Sequence, residues 1–136
     1  MKKFELIEHT ADIGIRAFGN SLAEAFANAG VGLFSIIADL DSVGEVESKK
    51  ISVEAQDTES LLFEWLNELI YIFDVERMLF KRFDVVKFDD RSIEATGWGE
   101  KYNALRHNIK LGVKSATYYK MEIDRQNNTV QVIFDV

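Results

Sequence analysis

Two stretches of helical periodicity, set among runs that alternate like strands, constrain this chain more than any other feature of its sequence. The first opens at Ser21-Leu22-Ala23-Glu24, a capping box in which the serine hydroxyl accepts a free backbone N–H and the glutamate reaches back to another. Leu22, Ala25, Phe26, Ala29, Leu33 and Ile37 then recur on one face. Gly30 and Gly32 stand in the middle, each costing about 1 kcal/mol against alanine, so a close approach by a neighbour is expected there. The second stretch starts at Asp57, where Thr58 and Glu59 follow and the acidic first turn suits the helix dipole. Leu61, Leu62, Trp65, Leu66, Leu69, Ile70 and Phe73 form a broad apolar face, which predicts that this second helix carries the centre of the core.

The remaining chain reads as strands over Lys3–Glu8, Asp12–Phe18, Glu45–Ala55, Leu79–Asp89, Ser92–Trp98, Lys110–Ile123 and Thr129–Val136. Alternation is clearest at Ile13, Ile15 and Ala17 and at Val130, Val132 and Phe134. Asp89-Asp90-Arg91 and Gln126-Asn127-Asn128 mark hairpin turns. Together these elements predict an α+β fold: a single domain over 1–136, with two main helices packed on a largely antiparallel or mixed β-sheet and a C-terminal strand running to the last residue.

A chain of 136 residues buries enough surface to fold without a staple. Cysteine is absent, which excludes disulfide partners, thiolate zinc sites and cysteine nucleophiles. No apolar run approaches the roughly 18 residues of a membrane span. Glu5 and Glu8 interrupt any signal-peptide core after Lys2-Lys3, so no membrane association and a cytoplasmic location are expected.

The net charge of −7 is unevenly spread. Residues 1–68 carry five Lys/Arg against thirteen Asp/Glu, and this half repels nucleic-acid phosphate. Residues 69–136 carry eleven against ten. Lys101, Arg106, Lys110, Lys114, Lys120 and Arg125 lie close together in sequence, as a weak basic edge for RNA or an acidic protein, or as an ordinary solvated face.

Phosphate-binding glycine loops and a Gly-x-Ser-x-Gly elbow are missing, since Gly97-Trp98-Gly99 fits neither glycine pattern. His9 and His107 are the only histidines, too few for a multi-histidine metal site. Three candidate places remain. In His9-Thr10-Ala11-Asp12-Ile13-Gly14-Ile15, Asp12 stands at the mouth of a strand, as a site carboxylate or as an Asx-turn residue. At the other terminus, Asp135 and the Val136 α-carboxylate end a strand together. Two such carboxylates repel, and a cation relieves the repulsion. Were the last strand to run beside Asp12–Phe18, Asp12 would join them in an all-oxygen cluster suited to Ca²⁺ or Mg²⁺, and otherwise the strand simply ends at the surface. The third set is Glu100, His107, Lys114 and Thr117, with Glu100 and His107 as an acid/base pair or as structural residues.

These residues, taken in order, resemble the archease family. The likeness runs through His9–Ile15, Gly19–Phe26, Glu64–Ile70, Gly99-Glu100, His107, Val113–Thr117 and Ile133–Val136, and so spans essentially the whole chain. The resemblance implies an accessory protein of RtcB-type RNA ligases in tRNA splicing. It would be a non-catalytic activator that promotes guanylylation and multiple turnover of the ligase and broadens its nucleotide use. It also implies a divalent cation, Ca²⁺ by family with Mg²⁺ or Mn²⁺ as alternatives, held by Asp12, Asp135 and Val136. Lys114 then belongs at the ligase interface, with His9, Glu100 and His107 as further partner-facing or activating candidates, and RNA contact is indirect or through the basic edge. Three positions depart from the family pattern: Glu8 for aspartate, Ser115 for alanine, and Tyr119 for a histidine whose role therefore does not transfer. Two other functions remain compatible with the residues. One is a stand-alone metal-dependent phosphohydrolase using Asp12 and Asp135, against which stands the lack of a nucleophile or a two-metal motif. The other is a chaperone-like binding module for nucleic-acid enzymes.

Overall fold

The computed structural model describes residues 2–9 and 11–136, apart from the side chain of His9. The chain opens with a hairpin of β1 (Phe4–His9) and β2 (Asp12–Phe18), antiparallel from Phe4 opposite Ala17 to His9 opposite Asp12. Helix α1 (Leu22–Ile37) follows, then a 3-10 turn at Leu40–Ser42 and β3 (Glu47–Glu54). Helix α2 (Thr58–Glu76) leads into β4 (Met78–Asp89) and β5 (Ser92–Lys101). Three short elements close the chain: β6 (Ser115–Ala116), β7 (Glu122–Asp124) and β8 (Thr129–Asp135).

Two antiparallel sheets result. In the first the order is β1-β2-β8-β6, with β7 also paired to β8. In the second β5 lies between β3 and β4. The α+β expectation holds, and every pairing between named strands is antiparallel.

Both helix caps form where the sequence places them. Ser21 accepts from the Glu24 N–H at 3.1 Å and Asp57 from the Ser60 N–H at 2.8 Å. The Glu24 carboxylate reaches back one residue further than a standard capping box, to the Asn20 N–H at 2.8 Å. Gly30 and Gly32 are sites of close approach, as expected. A Cβ at Gly30 would lie 2.8 Å from the Phe83 ring, and one at Gly32 would lie 3.1 Å from Ile15.

The centre of the core is not where the apolar face of α2 suggested. Twelve of the sixteen residues of α1 are buried, against nine of nineteen in α2. Helix α1 packs against β2 and β8 of one sheet and β4 of the other, so it is covered all round. Phe34 of α1 meets Phe73, Phe80 and Phe83 edge-on or tilted, at ring-centroid distances of 5.5–6.4 Å. Helix α2 is tied to α1 by the buried Trp65, whose indole N–H donates to the Phe26 carbonyl at 2.9 Å.

The expectation of one strand over Lys110–Ile123 fails. Only Ser115–Ala116 and Glu122–Asp124 pair, both with β8. Between them the chain turns at Tyr119-Lys120, where Lys120 adopts a left-handed φ of 53°. A lysine with positive φ cannot continue a strand, and nothing in its residue type announces the turn.

Candidate functional site

β2 and β8 bring the two ends of the chain together. Their register sets Ile13, Ile15 and Ala17 opposite Phe134, Val132 and Val130, and these pairs form the buried face toward α1. Alternation puts Gly14 with Ile133, and Arg16 with Gln131, on the other face. Gly14 is required there, because a Cβ would lie 2.2 Å from the Val132 carbonyl oxygen and 2.8 Å from the Ile133 side chain. One residue beyond the last pair, the same register sets Asp12 beside Asp135 on this outer face.

Asp12 is half-buried, and Asp135 and Val136 are exposed. The Asp12 carboxylate takes no Asx-turn bond from the Gly14 N–H; its neighbour among the described residues is the Lys120 ammonium, 3.8 Å from Oδ2. Lys120 is held over the site by its own backbone, whose carbonyl accepts from Gln131 Nε2 at 2.9 Å. The side chain of Lys114 is exposed, and its N–H donates to the Asp135 carbonyl at 2.8 Å. Lys110 lines a cleft of about 230 Å³ with Leu6, Glu8 and Ile13. The side chain of His9 and the whole of Thr10, both in the first motif, lie outside the described residues.

No three His, Cys, Asp or Glu side chains among the described residues come together to hold a metal. Val136, the third ligand that the resemblance implies, directly follows Asp135 at the end of β8. Such a donor set contains only oxygen and up to three negative charges, which fits a hard divalent cation. The Lys120 ammonium already shows that this end of the sheet attracts positive charge. A cleft of about 780 Å³ at Arg16, Glu122 and Gln131 contains none of Asp12, Asp135 and Val136, and its Arg16 guanidinium is engaged by Gln131 and Glu122.

Glu100 and His107 do meet, but away from this place and sealed from solvent. The Glu100 carboxylate is 3% exposed at the end of β5, where it accepts from the Gly44 N–H and the Arg106 guanidinium. These donors hold its carboxyl below the usual carboxylate range, the Gly44 N–H most of all, against burial, which pushes it up. His107 Nδ1 accepts from the Asn103 N–H at 2.9 Å. Nε2 lies 3.4 Å from Glu100 Oε2 yet makes no directed hydrogen bond. Neither Glu100 nor His107 faces solvent, so the arrangement lends no support to an acid/base pair acting on substrate. Lys114 and Thr117 do not join them: the Thr117 hydroxyl donates to the Ile133 carbonyl at 2.7 Å.

The basic residues of 101–125 are dispersed. Lys101 donates to the Glu76 carbonyl, Arg106 to Glu100, and Arg125 to Asp90 and Thr58. Of the remaining three, Lys120 has its ammonium beside Asp12, Lys114 meets Asp135 through its backbone, and Lys110 lines the cleft with Glu8 and Ile13. Sequence reasoning missed two contributors, Lys120 beside Asp12 and Gly44 beside Glu100. Neither carries a signal beyond its residue type, because both contacts bridge distant segments.

Residues 4–136 match the model of the Archease protein family (MTH1598/TM1083). A protein archease of Sulfurisphaera tokodaii is 40% identical over 138 residues, covering 100% of this chain and 99% of that protein. One from Saccharolobus islandicus is 42% identical over 137 residues, with the same coverage. Among solved structures, protein 1598 of Methanobacterium thermoautotrophicum superposes with a TM-score of 0.83 at 35% identity, over the full length of both chains. An archease of Thermotoga maritima, described as a possible chaperone, shares the fold at a TM-score of 0.56 and 24% identity, over 96% of this chain and 94% of that one. With the family model spanning all but the first three residues and relatives matching end to end, this chain belongs to the archease family.

Proposed function

We propose that this protein is a non-catalytic activator of an RtcB-type RNA ligase in tRNA splicing, acting through a divalent cation held by Asp12, Asp135 and the Val136 carboxylate. The observation that carries this proposal is the β2–β8 register, which brings the first motif of the chain and its last residues to one sheet end. The Lys120 ammonium beside Asp12 and the exposed Lys114, whose backbone meets Asp135, give that end charge of both signs, which suits a protein surface that handles nucleotide and RNA.

A divalent cation, when bound here, would supply charge stabilisation. Asp12 and Asp135 provide the side-chain oxygens and Val136 the main-chain carboxylate. Lys114, anchored through its N–H to Asp135 and exposed, is the residue we assign to the ligase interface. Phosphoryl transfer depends mainly on positioning and on neutralising developing charge. An accessory protein accelerates it only by favouring the transferring state of the ligase over the resting one. Ca²⁺ suits exposed, flexible oxygen ligands better than Mg²⁺, which demands near-ideal octahedral geometry.

The test is formation of the covalent ligase–guanylate from labelled GTP, with and without a sub-stoichiometric amount of this chain. Stimulation should appear with the wild type and vanish in Asp12→Ala and Asp135→Ala, both folded. Stimulation by either folded variant overturns the role of the cluster. Phosphate release or RNA cleavage by the chain alone, dependent on Mg²⁺ or Mn²⁺, would instead establish a hydrolase. Ligase binding indifferent to Asp12 and to removal of Val136 would establish a chaperone-like module.

A further inference from the structure

The segment from Tyr102 to Lys114 has almost no regular structure, yet it crosses from the second sheet to the first. It leaves β5 with the Tyr102 N–H on the Arg77 carbonyl at 2.7 Å. A tight turn follows, in which the Arg106 and His107 N–H groups both donate to the Asn103 carbonyl. The chain then passes the end of α1, where Ile109 bridges Ala38 and the Lys110 N–H meets the Ile37 carbonyl at 2.7 Å. It ends with the Lys114 N–H on the Asp135 carbonyl. Apart from Val113, the residue that roots this strap in the interior is His107, with a fully buried side chain.

Glu100 is the group on which the root of the strap converges. Its carboxylate faces Arg106 and His107 from the strap and the Gly44 N–H from the segment that follows α1. Gly44 lies so close that a Cβ there would be 3.1 Å from Glu100 Oε2. Other charge nearby comes from Arg77, whose guanidinium covers the Tyr102 ring at 5.2 Å, with the His107 ring 6.2 Å beyond. Because Nδ1 of His107 accepts the Asn103 N–H, the imidazole proton must sit on Nε2, toward Glu100. A carboxylate buried to this degree is an expensive way to close a turn, and neutral residues would serve a turn alone.

We propose that Glu100 is a positioning residue: its buried carboxylate seats the Tyr102–Lys114 strap, and through the strap it sets where Lys114 meets Asp135. The consequence for ligase activation rests on the function proposed above, but the seating itself does not. Charge is the essential property, because only an anion takes the Gly44 N–H, the Arg106 guanidinium and the His107 Nε2–H side at once.

Amide hydrogen exchange of the full chain, followed by NMR, tests the seating without any ligase. Glu100→Gln should accelerate exchange at the Lys110 and Lys114 amides at least tenfold while leaving Leu66, in the middle of α2, within twofold. Arg106→Gln, which alters an exposed side chain and leaves the core intact, should accelerate the same two amides about threefold. It decides the matter if Glu100→Gln does not fold. Imidazole ¹⁵N shifts supply the second readout: the Nε2–H tautomer, fixed by the Asn103 N–H, persists in wild type and variants, whereas the Nε2 resonance moves when the Glu100 charge is removed. Equal acceleration at Leu66 and the strap amides, or an Nε2 resonance unmoved by Glu100→Gln, overturns the proposal. A wild-type chain that fails to stimulate the ligase overturns the function proposed above and leaves the exchange result standing.

Discussion

Two carboxylate sites in this molecule are built in opposite ways. Glu100 is buried and supplied with donors from Gly44 and Arg106, with His107 alongside. Asp12, half-buried, and Asp135, exposed, stand at strand ends one step beyond the Ile13–Phe134 pair, with an ammonium 3.8 Å from Asp12 among the described residues. A carboxylate whose lone pairs the protein itself fills has nothing left to offer a ligand, and its role is to hold segments together. A pair left short of donors is poised for a cation or a partner. On the roles proposed above, the difference is that between a carboxylate that holds segments together and a pair that meets a ligand.

Four experiments press on that contrast. The largest effect belongs to Asp135→Asn, which should abolish ligase stimulation while the cation-free protein melts within about 2 °C of the wild type. A drop far beyond that range would make Asp135 a structural residue like Glu100 and erase the distinction. Next, Glu100→Ala should lower the unfolding free energy by about 1–3 kcal/mol, read from urea titrations. Gly44 then loses its acceptor, whereas the half-exposed Arg106 recovers water.

The pH dependence sharpens the same point. The carboxyl of Glu100 is held below its ordinary value by Gly44 and Arg106. A group with a lowered folded value binds fewer protons folded than unfolded, so its stabilisation is present above about pH 4.3 and fades as pH falls through the lowered value. The stability gap between wild type and Glu100→Gln should therefore be constant near neutrality and close in acid. A gap that persists unchanged to pH 2 would show that packing, not charge, is what Glu100 contributes. The smallest effect is that of Lys120→Met. Removing the ammonium beside Asp12 is worth about 0.2–1 kcal/mol, so Ca²⁺ affinity measured by calorimetry should rise by up to about fivefold. A fall in affinity would mean that Lys120 supports the site instead of competing for it.

Local signals in the chain foretold the elements well. Both caps and both helices follow from Ser21, Asp57 and the apolar spacing behind them, and β2 spans Asp12–Phe18 as its alternation requires. Such features depend on neighbours within a few residues, where side-chain chemistry and backbone geometry are coupled directly. The ranking of the helices was not legible in the same way. Small residues such as Ala27, Gly30, Val31 and Gly32 look like a weak face in α1, yet they let both sheets close on it. Burial all round depends on what the rest of the chain brings against a helix.

The division is the same at the site. Sequence alone determined that Asp12 opens a strand, that Asp135 and Val136 end one, and that no cysteine or histidine cluster could compete with oxygen chemistry. Only the tertiary structure decided which strand lies beside which. It set β8 against β2 so that residues more than a hundred positions apart share one end, and it turned Lys120 back over them. It also removed Glu100 and His107 from the surface, giving Glu100 the Gly44 N–H and the Arg106 guanidinium and His107 the Asn103 N–H. Strand order and burial arise from long-range packing, in which every segment competes for the same core, and no single stretch of residues encodes the outcome.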